Sequence, residues 1–234
     1  MNISVCLTNY NRTTLLYESI AQVIDDPRIS EFVISDDCSQ IEIFNDVVKF
    51  YADKPKVKIF RTEINLDCYF NKAKAVERAT NEWVILFDSD NILTKEYIDR
   101  IESLMIAGIN DRTVYQPDFA RPHFDFQKYG GAVINHTNVA GYINDSTFQT
   151  MLNAMNYFVN RQEYLKVFDV SIDPVTSDSI FHNYNWLKAG NSIYVVPELQ
   201  YEHRIHEGSH YRNNVNRTPQ GFYDEVVNKL KALR

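Results

Sequence analysis

Residues 83–90 read WVILFDSD, an apolar stretch that ends in two carboxylates. Five consecutive apolar residues bounded by polar ones are typical of a strand that is buried on both faces of a parallel sheet. Asp88 and Asp90 follow at the carboxyl end of that strand. The stretch therefore predicts a buried strand that delivers two acidic side chains to one edge of a sheet.

Similar apolar, β-branched segments precede it, and they alternate with segments whose apolar residues recur every three or four positions. The predicted strands are Ile3–Thr8, Glu31–Ser35, Val57–Arg61 and Trp83–Phe87, and the predicted helices between them are Thr13–Ile24, Ile41–Tyr51 and Tyr69–Thr80. This alternation predicts an open, mostly parallel α/β sheet with flanking helices.

The second half of the chain is less regular. Residues 111–144 are rich in Pro, Gly, Asn and aromatic residues, which favours loops and short antiparallel strands. No linker-like segment divides the chain, so we expect a single domain over residues 1–234. Helices are expected over Thr94–Met105 with Thr94 as N-cap, Gln162–Phe168, Ser179–Lys188 and Thr218–Leu230 with Pro219 in its first turn, and strands over Ile193–Val196 and Leu199–His203.

Composition and charge exclude several classes of protein. The 234 residues carry a net charge of -7 and a pI of about 5.4, which argues against nucleic-acid binding. The longest apolar run falls far short of the ~20 residues of a membrane span, and residues 1–12 lack the pattern of a secretory signal. We therefore expect a cytoplasmic protein with reduced cysteines and at most peripheral membrane contact, present as a monomer or weak homodimer.

Polar residues follow three of the predicted strands where each strand ends. Residues 8–12 read TNYNR, Asp36 and Asp37 follow the second strand, and Asp88 and Asp90 follow the fourth. Ligands of open α/β sheets bind beyond the carboxyl ends of the strands, and four converging carboxylates call for a cation or a donor-rich ligand. Two carboxylates one residue apart suit Mg²⁺ or Mn²⁺, although an isolated Asp-x-Asp is equally typical of a turn or a helix cap.

Three blocks of this sequence, in this order and spacing, resemble the family 2 glycosyltransferases. They are residues 4–12 (SVCLTNYNR), 32–39 (FVISDDCS) and 83–91 (WVILFDSDN), the last of which carries a DXD motif. A weaker resemblance continues over residues 156–161, 177–197 and 201–209. The resemblance implies a GT-A (Rossmann-like) fold, with residues 1–93 as the nucleotide-sugar-binding half and residues 94–234 as the acceptor and catalytic half.

The chain departs from the family pattern at several positions. The family usually has glycine or another small residue where Cys38 stands, and it has glycine where Asp67 stands. Ser177 precedes Asp178 where the family has an acidic pair. The Gln-x-x-Arg-Trp signature of processive synthases is absent because Trp occurs only at positions 83 and 186, so addition of a single sugar is expected.

The resemblance also implies roles for individual residues, which fall into nucleotide-binding, metal-binding and catalytic groups. The nucleotide-binding group is Thr8, Tyr10, Arg12, Asp37 and Asp88, the metal group is Asp90, Asp88 and either or both of His203 and His206, and the catalytic general base is Asp178. Structural alternatives remain open: Tyr10 packs over the strand end, or Asp178 caps a helix. The histidines are alternatively solvated loop residues, and His203, His206 and His210 do not form a convincing zinc site. Lys72 and Lys74 fit a solvated helix face better than phosphate contacts.

The implied function is inverting, non-processive transfer of a hexose-type sugar from a nucleotide diphosphate sugar, expected to be UDP-linked. Mn²⁺ or Mg²⁺ is the expected cofactor, and the acceptor is a hydroxyl of a glycan or of a lipid-linked or protein acceptor. A sugar nucleotidyltransferase and a non-catalytic nucleotide- or carbohydrate-binding module are the alternatives. A nucleotidyltransferase would normally carry a glycine-rich, basic loop near the N-terminus, whereas residues 8–12 of this chain contain no glycine. A dinucleotide oxidoreductase is disfavoured because no G-x-G-x-x-G follows the first strand.

Overall fold

A computed structural model describes residues 2–208 and 215–234 of the chain. Within these residues, nine strands form one mixed sheet in the order β3-β2-β1-β4-β8-β5-β9-β7, with β6 paired to β5. The strands are β1 Ile3–Asn9, β2 Ile29–Asp36, β3 Val57–Arg61, β4 Trp83–Asp88, β5 Thr113–Arg121, β6 Phe124–Asp125, β7 Val133–Ile134, β8 Phe158–Asn160 and β9 Ser192–Glu202.

The predicted parallel half is confirmed. β1 lies between β2 and β4 and pairs with both in parallel, and β3 extends the sheet beyond β2. Successive side chains of a strand point to opposite faces, so the apolar strands supply two separate cores. Cys6 and Leu86 belong to one core, whereas Val5 and Phe87 belong to the other. Burial on both faces explains why these strands lack a polar–apolar alternation.

Helices cover both faces of the sheet, and the sequence predicted all of the described α-helices except the one over Ser146–Leu152, although with different ends. They are α1 Thr14–Ile20, α2 Ile41–Phe50, α3 Asp67–Arg78, α4 Lys95–Ala107, α5 Ser146–Leu152, α6 Arg161–Lys166, α7 Asp178–Lys188 and α8 Phe222–Ala232. Thr94 caps α4 as predicted, since its hydroxyl accepts a hydrogen bond from the Tyr97 amide at 3.3 Å. The prediction for the last helix was wrong at its start: α8 begins at Phe222, after Pro219. None of the helices described combines the length and apolar character needed to cross a membrane.

The prediction of loops and short antiparallel strands for residues 111–144 was partly wrong. This region contains β5, which has nine residues and pairs in parallel with β9, besides the short strands β6 and β7. β9 is a single strand where two were predicted, and Glu198 has a φ of 66° within it. Because β8 is antiparallel to both β4 and β5, the carboxyl ends of β4, β5 and β9 meet at one edge.

A buried carboxylate supports the amino-terminal end of the parallel half. Glu31 on β2 is 2% exposed and accepts hydrogen bonds from the Ser4 hydroxyl at 2.7 Å and the Thr80 amide at 2.6 Å, and it pairs with Lys58. Burial opposes ionisation, but Lys58 and the hydroxyl and amide donors outweigh it and lower the pKa of Glu31 to about 2.

Replacement of Glu31 by Gln should lower the free energy of unfolding at pH 7 by about 1–3 kcal/mol, because a neutral amide forms no ion pair with Lys58 and accepts fewer hydrogen bonds. A lowered pKa stabilises the fold fully above the ordinary value of 4.5, and this stabilisation is lost as the pH falls towards about 2. Urea unfolding at several pH values should therefore show that the difference in free energy of unfolding between wild type and Glu31→Gln becomes smaller as the pH falls from 4.5 towards about 2. Glu96→Gln, at an exposed position of α4, is the control, and an equal difference at all pH values would contradict the prediction.

Candidate functional site

The carboxyl edge of β1, β2 and β4 gathers the predicted acidic residues, but one of them is structural. Asp36 is fully buried and accepts hydrogen bonds from the Asn9 side chain at 2.8 Å and from the amide and hydroxyl of Ser39 at 2.9 and 2.7 Å. These bonds join the last residue of β1 to the end of β2 and the loop that follows it. Asp36 therefore holds the edge in shape, and the carboxylates that remain for a ligand are those of Asp37, Asp88 and Asp90.

Asp37 lies between the loops that follow β2 and β3. Its Oδ1 accepts a hydrogen bond from the Leu66 amide at 2.7 Å and a longer one from the Thr62 hydroxyl at 3.4 Å. Burial raises the pKa of Asp37 to about 6, although the Leu66 amide opposes the shift. The side chain is therefore mainly ionised at pH 7, and its carboxylate can accept a further hydrogen bond from a ligand.

The two departures from glycine in this region occupy left-handed backbone. Cys38 and Asp67 both have a φ of 60°, a conformation that glycine adopts without steric cost. The Asp67 side chain pairs with Arg217, whose Nη2 lies 2.6 Å from Oδ2. Both residues therefore adopt a backbone conformation that glycine would adopt more easily.

Thr8 and Tyr10 take different positions on this edge. Thr8 is paired in register with Asp88 across β1 and β4, so the two lie side by side. Tyr10 follows β1 and is 49% exposed, which is more than the packing alternative for this residue implies. Both residues therefore border the edge that carries the carboxylates.

Asp90 is held by two cationic or potentially cationic side chains. Its Oδ2 lies 3.0 Å from the Arg12 guanidinium and 3.0 Å from Nε2 of His206. Burial would raise the pKa of Asp90, but the hydrogen bond with His206 and the charge of Arg12 hold the pKa below its usual value. Arg12 also donates to the Gly208 carbonyl at 2.6 Å, so it links the loop after β1 to the segment after β9.

Lys72 contradicts the prediction of a solvated helix face. Its ammonium is buried and lies 2.8 Å from Oδ2 of Asp178 and 3.2 Å from Oδ1 of Asp88. Lys72 is three residues after Tyr69 and four before Val76, both fully buried, so helical spacing could have placed it on the buried face. Lys74 is partly exposed, with 44% of its side chain accessible, and it pairs with Glu77, as a solvated face requires.

The charges around Lys72 influence one another. Burial alone would lower the pKa of Lys72, but the carboxylates of Asp178 and Asp88 outweigh it and raise the pKa well above its usual value. Burial raises the pKa of Asp88; Lys72 opposes this shift, and the charge of Asp90 adds to it. The ammonium therefore stays charged and compensates the two carboxylates.

Asp178 lies at the start of α7, after a short 3-10 turn over Val175–Ser177. It is 6% exposed and is the first residue of the helix, whereas the N-cap position belongs to Ser177. Val175 has a φ of 51°, which is unusual for a β-branched residue and indicates local strain in this turn. The position of Asp178 inside the helix disfavours the alternative in which it serves as the N-cap.

Two residues that the sequence interpretation missed hold the DXD segment. The Asn156 side chain accepts from the Asp88 amide at 2.8 Å and donates to the Asp88 carboxylate at 3.2 Å. Arg204 donates to the Asp90 carbonyl and to the Leu15 carbonyl, the latter at 2.7 Å. Asn156 lies in a block quoted for the weaker resemblance, but its role depends on contacts distant in sequence.

The structure separates the two candidate histidine ligands. His206 contacts Asp90, whereas Nδ1 of His203 lies 3.0 Å from Nδ1 of His123. Burial lowers the pKa of His203, and His123 adds to this shift. Ser209 and His210, which figure in the sequence interpretation, lie outside the described residues.

The donor set fits a hard divalent ion only in part. Among residues 2–208 and 215–234, no group of three or more His, Cys, Asp and Glu side chains is arranged to hold a metal. Mg²⁺ is commonly bound by one or two carboxylates together with substrate phosphates, so Asp88 and Asp90 suffice where a diphosphate supplies further oxygens.

Comparison with known proteins assigns the family. Residues 4–169 match Glycosyl transferase family 2, and the chain belongs to this family. No curated protein matches the chain.

Solved structures of S. aureus TarS have a similar fold. TarS 1-349 in complex with UDP-GlcNAc is 18% identical with a TM-score of 0.70, and the match covers 91% of this chain and 61% of that one. TarS 1-349 alone is 16% identical with a TM-score of 0.68, over 98% of this chain and 70% of that one. The complex of TarS 1-349 with UDP is 16% identical with a TM-score of 0.64, again over 98% of this chain and 70% of that one. At this identity the likeness shows the GT-A fold.

Replacement of Lys72 by Met should lower the free energy of unfolding by about 3–5 kcal/mol, because it leaves the buried Asp178 and the partly exposed Asp88 without their cation. Lys74→Met, the same change at a partly exposed position two residues away, should cost less than about 1 kcal/mol. Chemical denaturation measures both variants.

A double-mutant cycle distinguishes charge from packing. In the Lys72→Met background, Asp178→Asn should restore part of the lost stability, with a coupling of about 1–3 kcal/mol between the two positions. Equal losses for the two lysine variants, or additive effects of Lys72→Met and Asp178→Asn, would contradict the ion-pair account.

Proposed function

We propose that this protein is an inverting, metal-dependent glycosyltransferase that moves one sugar from a UDP-linked donor to a hydroxyl of a glycan, lipid-linked or protein acceptor. The observation that carries the proposal is the arrangement around Lys72, with Asp178 at 2.8 Å and Asp88 at 3.2 Å from one ammonium. Inverting transfer needs a base on the face of the anomeric carbon opposite the leaving diphosphate, within reach of the donor, and the shared contact with Lys72 brings the candidate base near the edge where the donor would bind.

The nucleoside of the donor would bind along the ends of β1 and β2. Asp37 would accept a hydrogen bond from the base or ribose, with Thr8 and Tyr10 beside it. Family membership and the TarS complexes with UDP-GlcNAc and UDP support a uridine nucleotide. Residues 1–93 would serve as the nucleotide-sugar half, and residues 94–234 as the acceptor half of one domain.

The diphosphate would lie next to Asp88, Asp90 and Arg12. Asp90 and Asp88, with His206 or His203 as a further ligand, would hold Mn²⁺ or Mg²⁺. Once bound, such an ion offsets the charge of the phosphates and of the departing diphosphate. Arg12 already contacts Asp90 and can turn to a phosphate oxygen.

Asp178 would act as the general base. The acceptor oxygen forms a bond to the anomeric carbon, the bond from that carbon to the diphosphate oxygen breaks, and the acceptor proton passes to the Asp178 carboxylate. Lys72 favours the ionised form of that carboxylate before the acceptor arrives, since an adjacent cation stabilises negative charge. Lys72 is in this sense a positioning residue for the base.

Two substitutions test these roles. Asp90→Ala should remove Mn²⁺-dependent UDP release from UDP-sugars, and Asp178→Asn should lower sugar transfer by about 100-fold or more while UDP still binds. UDP release and calorimetry with UDP and Mn²⁺ measure the two effects separately, and a screen of UDP-sugars identifies the donor.

Asp53→Asn, an exposed position remote from the described site contacts, is the control and should behave as wild type. Normal turnover by the Asp178→Asn variant would exclude Asp178 as the general base. Failure of the unaltered protein to bind UDP would overturn the proposed function itself.

A further inference from the structure

A cleft of about 280 Å³ opens between the hairpin strand β6 and helix α5. Its lining combines an aromatic ring, a carboxylate and three hydroxyl groups, contributed by Phe124, Asp125, Ser146, Thr147 and Thr150. An apolar ring face surrounded by hydrogen-bonding groups is the combination that sugar rings require, since they have C–H faces and hydroxyl edges.

Phe124 is the exposed aromatic surface of this cleft. It remains 39% exposed, while its ring contacts His203 edge to face at a centroid distance of 4.9 Å. The ring is also parallel to that of buried Phe126, with an interplanar angle of 2°. Three neighbouring rings, those of His203, Phe126 and His123, therefore lie beside an aromatic side chain that still faces solvent.

The elements that border the cleft continue along the chain to both parts of the candidate active site, although the lining includes none of the candidate site residues. On one side, His203 begins the segment that brings His206 to Asp90. On the other side, α5 ends next to Asn153, whose amide donates to the Thr176 carbonyl at 3.3 Å and whose oxygen accepts from the Ile180 amide at 3.3 Å. Those two backbone groups flank Asp178, so α5 leads from the cleft to the turn that carries the candidate base.

The charge of the lining selects among hydroxyl compounds. Asp125 supplies a carboxylate, and none of the residues that line the cleft is lysine or arginine. A phosphorylated or otherwise anionic ligand would meet the charge of Asp125, and the lining offers the imidazole of His123 but no lysine or arginine to offset it.

We propose that this cleft is the acceptor subsite and that it takes a neutral, hydroxyl-rich sugar, whose ring stacks on Phe124 and whose hydroxyls bind Asp125 and Thr150. The assignment rests on the proposed glycosyltransferase function and adds the class of its acceptor.

The test measures sugar and nucleotide binding separately on the full chain. Ligand-observed NMR titrations use the neutral methyl glycosides of glucose, galactose and N-acetylglucosamine, and calorimetry measures UDP with Mn²⁺. Phe124→Leu keeps an apolar side chain and removes the aromatic face, so it should weaken glycoside binding by about fivefold to tenfold. Phe124→Trp should retain binding within about twofold of wild type.

Two further arms test the polar contacts and the charge. Asp125→Asn keeps the oxygen that accepts from the Gln127 amide at 2.9 Å, and it should weaken glycoside binding by about fivefold through loss of the charged acceptor. Glucose 6-phosphate should bind more weakly than methyl glucoside. Ile106→Ala, at a position that is 82% exposed on α4, is the remote control.

Retained UDP affinity with reduced glycoside affinity in Phe124→Leu and Asp125→Asn supports the assignment. Glycoside affinity that is unchanged in both variants, no binding of any glycoside to the unaltered protein, or tighter binding of the phosphorylated sugar would overturn it. Normal glycoside behaviour without UDP binding would instead remove the proposed function and leave a carbohydrate-binding cleft.

Discussion

The buried ammonium of Lys72 is the contact on which the candidate site depends. It joins Asp88 at the end of β4 to Asp178 at the start of α7, and it extends from α3, which packs on β1 and β2. A buried carboxylate without a partner is costly, and two near each other also repel. One cation therefore ties the end of β4 to the start of α7.

The acidic edge is largely compensated by the chain itself. Hydrogen bonds stabilise Asp36, Lys72 offsets Asp88, and Arg12 with His206 offsets Asp90. This changes the argument for a metal, because four converging carboxylates no longer require a cation on grounds of repulsion. The case for Mn²⁺ or Mg²⁺ rests instead on the charge that a diphosphate would bring to the same place.

The sequence predicted the parts of the fold in which each element is specified locally. Continuous apolar strands such as β1 and β4 need no distant partner to be recognised, and the candidate site residues lie at or just after their carboxyl ends. The region around β5 was harder because Pro117, which cannot donate a ladder hydrogen bond, stands within that strand, and the pairing with β9 shifts register between Pro117 and Phe119. Lys72 was assigned to solvent by its residue type, although its position in the helix indicated burial. The contacts of Asn156 and Arg204 with the DXD segment depend on tertiary packing, and local patterns do not encode them.

The most direct test of the account is a crystal structure with UDP and Mn²⁺, in which anomalous scattering locates the metal. We expect uridine density beside Asp37, a manganese peak next to Asp90, and an Arg12 guanidinium that has moved from Asp90 to a phosphate. Nucleotide bound elsewhere, or a manganese peak remote from Asp88 and Asp90, would contradict the central claim that the carboxyl edge of β1, β2 and β4 is the donor site.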